Sequence, residues 1–389
     1  MVMPCPFREN MGRTSRRADQ EVNVGDFKII SADSHINEPP DLWTSRVPAK
    51  FKDRAPRMQR FPEGDAWVLE GALDPINFGS NWNAGVPIDE RTPWSLWEDV
   101  RHGGYVPSAR LEEQDLDGVS AEVLYPTPRI QNQLAWHTDD PEFHVACFRA
   151  YNDWISEYAG FAPDRLWGVA YIPNVGADIA IAELHRVLEM PGIRGVLIGQ
   201  WPEGGLEIAD ADDRFFAAVA EAGVPMSIHV GFATAAQGDK ARGKMRGDMR
   251  FFDAPIRVAQ LMSSGALDRY TDLQVALVEV DAGWVPYLKE QMDDRHSRSK
   301  IRHETPPSVY LERNFSYVFI TDSYGVKNRH EVGLDRLLWS SDFPHGGSDW
   351  PHSREAIERQ FAGVPEDERN LIVAGNAERL YGVRAGAPA

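Results

Sequence analysis

The chain has 389 residues, of which 42% are hydrophobic, and it carries a net charge of −18 from 59 acidic and 41 basic residues. Its length allows one large α/β barrel or two smaller domains, and its acidity disfavours nucleic acid or an anionic membrane surface as a partner. No run approaches the roughly 18 apolar residues of a membrane span, and the two cysteines make no disulfide framework, so we predict a soluble cytoplasmic protein.

Residues 1–24 form a polar segment of mixed charge, in which Arg16 and Arg17 are not followed by an apolar region. A secretion signal needs such an apolar region, so the pattern argues against one. We predict that residues 1–24 form a mobile tail and that residues 25–389 form a single domain.

Eight short apolar or β-branched runs follow along the chain, and patterns typical of amphipathic helices lie between them. The runs span residues 27–35, 121–126, 166–173, 192–199, 224–231, 273–280, 315–320 and 336–344, and the predicted helices include 142–159, 177–189, 212–222, 254–264, 285–297 and 353–361. Apolar strands that alternate with helices indicate a parallel sheet covered on both faces, and eight such units predict a (β/α)₈ TIM barrel. An open doubly wound sheet is the alternative, but the first strand lacks the glycine-rich turn of a dinucleotide site.

The stretch from Pro39 to about Gly118 is far too long for an ordinary barrel loop. It holds five of the 12 tryptophans, namely Trp43, Trp67, Trp82, Trp94 and Trp97. One interpretation is a decorated loop that packs over the barrel. Because the stretch begins beside a strand end, we favour a different interpretation, a lid that forms an aromatic wall of a substrate pocket.

Four potential metal ligands lie at the C-terminal ends of predicted strands, where a barrel builds its active site. Asp33 and His35 are two residues apart on the first strand, so both side chains point to the same side. His229 ends the fifth strand in SIHVG, and Asp342 ends the eighth in SSDFPH. Imidazole and carboxylate together suit Zn²⁺, Fe²⁺ or Mn²⁺, so we predict a divalent metal at these four residues.

Glu279 ends the sixth strand in LVEVDAGWVP, and a carboxylate at the end of a buried strand needs a partner. We predict that Glu279 acts as a catalytic base or, with His296 or His303, as a ligand of a second ion, which gives one or two ions per chain. The alternative is that both histidines lie on a solvated helix face. His345 follows Asp342 by three residues, and we predict that it moves a proton or holds a substrate carboxylate.

Six motifs cover nearly the whole chain, from about Lys28 to Tyr381: DSHINEPPDLW, RLEEQDLDGVSAEVLYP, GVPMSIHVG, VEVDAGWVPYL, SSDFPH and GNAERLYG. Together they resemble the amidohydrolase superfamily, in the amidohydrolase-related branch that includes aminocarboxymuconate-semialdehyde decarboxylase and γ-resorcylate decarboxylase. The resemblance implies a metal-containing (β/α)₈ barrel that is usually dimeric, so a homodimer is expected. It also implies that the family's metal ligands correspond here to Asp33, His35, His229 and Asp342.

Departures from the family pattern bear on the reaction. Many members have H-x-H on the first strand, whereas this chain has D-x-H beginning at Asp33. The strand-6 histidine of the decarboxylases is absent, and Glu279 lies near its position. No lysine ends the fourth strand, so the carbamate-bridged pair of metals of other superfamily members is not expected.

From these departures we predict a hydrolase of an ester, thioester or amide that carries a bulky apolar or aromatic group. The metal would lower the pKa of water toward about 7, and Glu279 or Asp342 would accept the proton. We predict that Trp43, Trp201 and Asn37 contact the small-molecule substrate.

A non-oxidative decarboxylase of an aromatic or unsaturated carboxylic acid is the first alternative. In that case the metal would chelate the carboxylate and a hydroxyl group of the substrate, and an acid would protonate the ring carbon. Arg194 or His345 would then be the partner of the substrate's negative charge. The second alternative is a barrel that binds a ligand without catalysis.

Overall fold

The computed structural model describes residues 27–137, 139–232, 253–300 and 304–382. Its centre is a sheet of eight parallel strands that are neighbours in the order of the chain. The strands are β1 (Ile30–His35), β5 (Ala121–Tyr125), β6 (Leu166–Ile172), β7 (Ile193–Ile198), β8 (Met226–His229), β9 (Val275–Val278), β10 (Phe315–Phe319) and β11 (Leu337–Trp339). Every residue of these strands except Arg194 is buried, which explains the continuous apolar runs in the sequence.

The first and last strands meet at a seam, where the sheet closes on itself. There the His35 N–H donates to the Phe343 carbonyl (2.7 Å), and the Asp342 N–H donates to the Asp33 carbonyl (3.0 Å). Each of the eight strands falls within one of the eight predicted runs. The predicted (β/α)₈ barrel is therefore confirmed.

Helices connect the strands and cover the outside of the sheet. They are α1 (Leu42–Arg46), α2 (Pro107–Asp117), α3 (Pro128–Trp136), α4 (Pro141–Gly160), α5 (Ala177–Leu188), α6 (Asp213–Ala222), α7 (Asp253–Ser263), α8 (Ala266–Arg269), α9 (Val285–Arg298), α10 (Pro307–Arg313), α11 (Ser323–Lys327), α12 (Arg329–Val332), α13 (Ser353–Gln360), α14 (Glu366–Asn370) and α15 (Asn376–Tyr381). The six helices predicted from the sequence are α4, α5, α6, α7, α9 and α13, and each agrees within one residue at both ends. None of the helices in the described ranges is long and apolar enough to cross a bilayer.

Local sequence signals account for where several helices begin and end. Helix α4 starts with Pro141, and the Asp140 side chain accepts a hydrogen bond from the Phe143 N–H (3.1 Å) as an N-cap. Helices α2 and α6 end at Gly118 and Gly223, whose left-handed φ angles of 71° and 65° suit glycine.

The tryptophan-rich stretch after β1 folds into its own small elements instead of an irregular loop. An antiparallel sheet contains β2 (Arg57–Phe61), β3 (Gly64–Val68) and β4 (Ile76–Asn77), and α1 and α2 flank this sheet in the sequence. Trp43 of α1 meets Trp67 of β3 edge to face at 5.0 Å, and both rings belong to the main hydrophobic core. The predicted tail, residues 1–24, lies outside the described residues.

Candidate metal centre

Ligand-type side chains converge at the carboxyl ends of the barrel strands. Asp33 and His35 come from β1, His229 is the last residue of β8, and Asp342 follows β11 by three residues. His35 Nε2 lies 3.4 Å from Asp33 Oδ1 and 3.4 Å from Asp342 Oδ1, and His229 Nε2 lies 3.5 Å from Asp33 Oδ1. The four residues that the sequence places in the first metal site thus lie near one another, in two groups that share His35: Asp33, His35, His229 and Glu279, and His35, Asp342 and His345.

These ligand atoms are buried, and they do not hydrogen-bond one another. Asp33 Oδ1 and Oδ2, His35 Nε2 and His229 Nε2 have no hydrogen-bond partner within the described part of the chain. Unpartnered buried polar atoms are costly, so such a group indicates a ligand. Ligand atoms about 2.1 Å from a shared tetrahedral ion lie about 3.4 Å apart, which matches the observed spacing. The residues fit a divalent metal ion.

Backbone carbonyls orient both imidazoles toward this point. His35 Nδ1 lies 2.9 Å from the Pro126 carbonyl, and His229 Nδ1 lies 3.3 Å from the Val230 carbonyl. A carbonyl can only accept, so each Nδ1 carries the hydrogen and each Nε2 presents its lone pair to the cluster. This arrangement is typical of metal-binding histidines.

The charges of the cluster also favour a bound cation. Burial by itself would lower the pKa of His229, but the carboxylates of Asp33, Glu279 and Asp342 outweigh it and raise that pKa to about 9. Burial by itself would raise the pKa of Asp33, but the imidazoles of His229 and His35 outweigh it and lower that pKa. The carboxylates thus stabilise positive charge at this point, whether it sits on an imidazole or on an ion.

A bulge in β1 aims Asp33 into the cluster. Between Ser31 and Ser34 the pairing of β1 with β5 shifts by one residue, so β1 carries one extra residue there. Such bulges redirect side chains, and they are common beside active sites. The Ser31 hydroxyl bonds to the Asp33 carbonyl (2.8 Å), which fixes the bulged backbone from within the barrel.

Glu279 lies at the edge of the cluster on a strained turn. It follows β9 directly with a left-handed φ of 57°, and its Oε2 is 3.8 Å from His229 Nε2. Asp281 has a φ of 56°, and the Asp322 carboxylate accepts from the N–H groups of Ala282 (2.7 Å) and Gly283 (2.6 Å) in the same turn. Left-handed non-glycine residues carry strain and concentrate at functional sites. Asp322 thus fixes the backbone of the turn that follows Glu279.

His345, which the sequence predicts to move a proton or hold a substrate carboxylate, contacts Asp342. Its Nδ1 lies 2.8 Å from Asp342 Oδ1, and its ring stacks on His35 at 4.0 Å. Burial raises the pKa of Asp342 to about 6. The Asp342 carboxyl group can carry a proton. The His345 imidazole beside it can exchange a proton with that carboxyl group.

Asn37 lies beside the cluster, buried against the insertion. Its backbone N–H donates to the Gly104 carbonyl (2.8 Å), and its amide donates to the Asn81 carbonyl (3.1 Å). A Cβ atom at residue 104 would lie 2.2 Å from Asn37 Oδ1, so the close approach requires glycine there. Asn37 Oδ1 has no hydrogen-bond partner among the residues that the structure describes.

The next residue, Glu38, is an acid to which the sequence assigns no role. Its Oε1 accepts from the Thr127 N–H (2.9 Å), and its Oε2 has no hydrogen-bond partner in the described ranges. Burial raises the pKa of Glu38 to about 7. Asn37 and Glu38 line a cavity of about 10 Å³ together with Trp67 and Trp97, and none of the candidate metal ligands is among the residues that line it.

Two tryptophans predicted to contact substrate are packed as core residues. Trp43 is 1% exposed, and its indole N–H donates to the Cys147 carbonyl of α4 (3.1 Å). Trp201 is fully buried against Phe216 and Phe232, and its indole N–H donates to the Leu206 carbonyl (3.1 Å). The rings of both tryptophans pack against other side chains of the protein, and both indole N–H groups donate to backbone carbonyls.

Arg194 and His296 lie away from the cluster. Arg194 is the second residue of β7, so roughly 13 Å of strand separates it from the carboxyl end where the ligands lie. His296 lies in the last turn of α9, 17 residues after Glu279. Neither residue belongs to a metal-binding group found among the described residues. His303 lies outside the described ranges.

Known proteins are similar to this chain in sequence and in fold. A family model described as Amidohydrolase matches residues 32–383. A γ-resorcylate decarboxylase from Rhizobium sp. (strain MTP-10005) is 24% identical over 323 residues, which are 74% of this chain and 91% of that protein.

Solved structures agree at the level of the fold. An amidohydrolase from Mycobacterium avium subsp. paratuberculosis K-10 has a TM-score of 0.72 at 21% identity, over 92% of this chain and 100% of the other. A dihydroxybenzoic acid decarboxylase from Polaromonas sp. JS666, with bound manganese and the inhibitor 2-nitroresorcinol, has a TM-score of 0.60 at 19% identity, over 92% and 98%. Because the relatives with a named reaction are decarboxylases, the prediction of hydrolysis is wrong.

Proposed function

This chain belongs to the amidohydrolase family whose model matches residues 32–383, and on that basis we propose that it is a metal-dependent, non-oxidative decarboxylase of an aromatic carboxylic acid. One structural observation carries the proposal: the buried carboxyl group of Asp342 lies 3.4 Å from His35 Nε2 and 2.8 Å from His345 Nδ1, so a proton can move between Asp342 and His345 beside the candidate metal ligands. A group of this kind can deliver a proton beside a metal-bound acid. The γ-resorcylate decarboxylase relatives favour this reaction over ligand binding without catalysis.

Asp33, His35 and His229 would hold the ion throughout, and Asp342 would bind it only while its carboxyl group is deprotonated. When bound, a divalent ion would supply a Lewis acid that polarises the carboxylate of the substrate. Manganese in the Polaromonas relative supports Mn²⁺, whereas Zn²⁺ and Fe²⁺ stay predictions. A second ion at Glu279 also stays a prediction, and its 3.8 Å distance from His229 is compatible with a ligand or with a base.

In the reaction the bond between the ring and its carboxylate breaks, CO₂ leaves, and the electron pair stays on the ring carbon until that carbon takes a proton. Asp342 is the proposed proton donor. His345 Nδ1, 2.8 Å from Asp342 Oδ1, gives a route by which a proton returns to the carboxyl group. Of the two residues predicted to face the substrate's negative charge, His345 is at the site and Arg194 is not.

We further propose that residues 39–118 act as a lid over this site. The support is the position of Trp67 and Trp97, which line a cavity with Asn37, two residues beyond the ligand His35. Asn37 Oδ1 is a buried acceptor that suits a hydroxyl group of the substrate. A single 25–389 domain and a homodimer stay predictions, which analytical ultracentrifugation and limited proteolysis would test.

The decisive experiment measures CO₂ release by Mn²⁺-loaded protein from 2,6-dihydroxybenzoate and other hydroxybenzoates, with the decarboxylated phenol identified by mass spectrometry. Asp342→Asn is the matched control, because asparagine also tolerates the φ of 56° at this position. We expect CO₂ from the wild type, and a rate roughly 10²–10⁴-fold lower from the variant. A wild type that releases no CO₂ from any substrate of the panel, or an undiminished rate in Asp342→Asn, would refute the proposal.

A further inference from the structure

A buried arginine spans the seam of the barrel directly behind the metal ligands. Arg110 of α2 is fully buried, and its Nη1 donates to the His35 carbonyl (2.9 Å). Its Nη2 lies 3.4 Å from the Phe343 carbonyl, on the opposite side of the seam. His35 is itself a ligand, and Phe343 follows the ligand Asp342. We propose that Arg110 is a positioning residue that sets the spacing of the metal ligands across this seam.

The surroundings of Arg110 hold the guanidinium in one orientation. Glu122 of β5 accepts from Arg110 Nε (2.5 Å) and Nη2 (3.1 Å), and Gln114 donates to the same carboxylate (2.7 Å). The guanidinium also lies 4.5 Å from the centre of the Phe343 ring, and Nη1 donates to the Gly103 carbonyl (3.3 Å). Such a planar, two-sided set of contacts is one that arginine can make and lysine cannot.

The position of these contacts favours a role in ligand spacing over simple stabilisation. A buried ion pair contributes little net stability, because desolvation offsets the attraction between its charges. The carbonyls that Arg110 binds belong to the two backbone segments on which the His35–Asp342 distance of 3.4 Å depends. Metal sites tolerate ligand displacements of only about 0.2 Å. A small opening of the seam would therefore weaken metal binding before it unfolded the barrel.

Lys289 provides a matched control for this proposal. It is also a buried cation on a helix, α9, and its Nζ binds the carbonyls of Glu331 (2.8 Å) and Val332 (2.9 Å) and the carboxylate of Glu312 (3.0 Å). None of these partners is next to a residue of the metal cluster. Replacing Lys289 tests what the loss of a buried, backbone-binding cation does by itself.

The test compares Arg110→Lys and Lys289→Met with the wild type, using the dissociation constant of Mn²⁺ from isothermal titration and the thermal midpoint from circular dichroism. We expect Arg110→Lys to weaken Mn²⁺ binding roughly 10–100-fold, the range for residues that orient metal ligands. Lys289→Met should lower the midpoint and leave the dissociation constant within about twofold of the wild type. Equal effects of the two variants on Mn²⁺ binding, or an unchanged constant in Arg110→Lys, would overturn the proposal.

If Arg110→Lys fails to fold, Glu122→Gln decides the question, because it keeps Arg110 but removes the carboxylate that orients it. We expect weaker Mn²⁺ binding there as well, and an unchanged constant would contradict the proposal. A wild type that does not bind Mn²⁺ would also contradict it. The inference rests on the proposed function only through the metal site. If the wild type releases no CO₂ but Arg110→Lys still weakens Mn²⁺ binding, the proposed reaction is refuted and the role of Arg110 is not.

Discussion

Replacing Glu38 by glutamine should stabilise the protein at alkaline pH. Burial raises the pKa of Glu38 from 4.5 to about 7, so the folded protein binds this proton more tightly than the unfolded chain does. The side chain is 2% exposed, so solvent screens little of this effect. A group with a raised pKa contributes stability that is complete below the unfolded value of 4.5 and is lost as the pH rises through about 7. At about 1.4 kcal/mol per pH unit, the loss is about 3 kcal/mol.

Urea unfolding of wild type and Glu38→Gln at pH 4.5 and at pH 8 measures this loss directly. The difference in unfolding free energy between the two proteins should shift by about 3 kcal/mol in favour of the variant at pH 8. Glu183→Gln is the control, because Glu183 is equally buried but accepts hydrogen bonds from Arg149, Arg186 and Asn152. That variant should be less stable than the wild type at both pH values. A Glu38→Gln difference that does not change with pH would refute the reasoning.

Three further substitutions test the site. His229→Ala should remove most of the metal, which elemental analysis of protein purified without chelator would show, and a full complement of metal would count against the four-residue site. Glu279→Gln separates two roles of this residue. If Glu279 is a base, the rate falls about 10²–10⁴-fold and the metal content is unchanged, whereas if it is a ligand, the metal content falls. A normal rate together with a normal metal content would show that Glu279 is not part of the site. Trp43→Ala should cost about 3–5 kcal/mol of stability, because the ring is packed in the core, and a stable variant with a raised KM would restore its predicted contact with substrate.

The barrel and the metal cluster could be predicted because both follow from rules that are local in the sequence. Fully buried parallel strands are continuous apolar runs, and all eight were visible as such. In a barrel the carboxyl ends of all strands face the same way, so Asp33, His35, His229 and Asp342 were expected to meet although they are far apart in the chain. The position of each residue at the end of an apolar run was sufficient for this prediction.

The errors arise where burial has two possible causes. A large aromatic side chain is excluded from water both in a core and in the wall of a pocket, so Trp43 and Trp201 could not be assigned from sequence. Arg194 is different, because its place at the start of an apolar run already puts it at the wrong end of the strand. The absence of the strand-6 histidine, with Glu279 near its position, is compatible with relatives that are decarboxylases.

Helix α2 shows a limit of amphipathic patterns. Its buried face carries Arg110, Gln114 and Asp117, whereas Leu116 is 64% exposed. A prediction from hydrophobicity alone would bury the face that carries Leu116. Hydrophobicity does not show which polar side chains have hydrogen-bond partners in the barrel. The sequence feature that does indicate the buried face is the motif RLEEQDLDG, in which Arg110 and Gln114 lie one helical turn apart. Both side chains donate to the carboxylate of Glu122.

The seam joins two segments from opposite ends of the chain. The hydroxyl oxygens of Ser34 and Ser341 lie 3.2 Å apart at this seam, although the two residues are 307 positions apart in the sequence. An ion held by Asp33 and His35 on one side and by Asp342 on the other would bind the folded barrel and not the unfolded chain, because unfolding separates its ligands. Such an ion stabilises the folded state by mass action, by about 2.7 kcal/mol at a free concentration 100 times its dissociation constant. A chelator would therefore lower the stability of the barrel at the seam as well as empty the site.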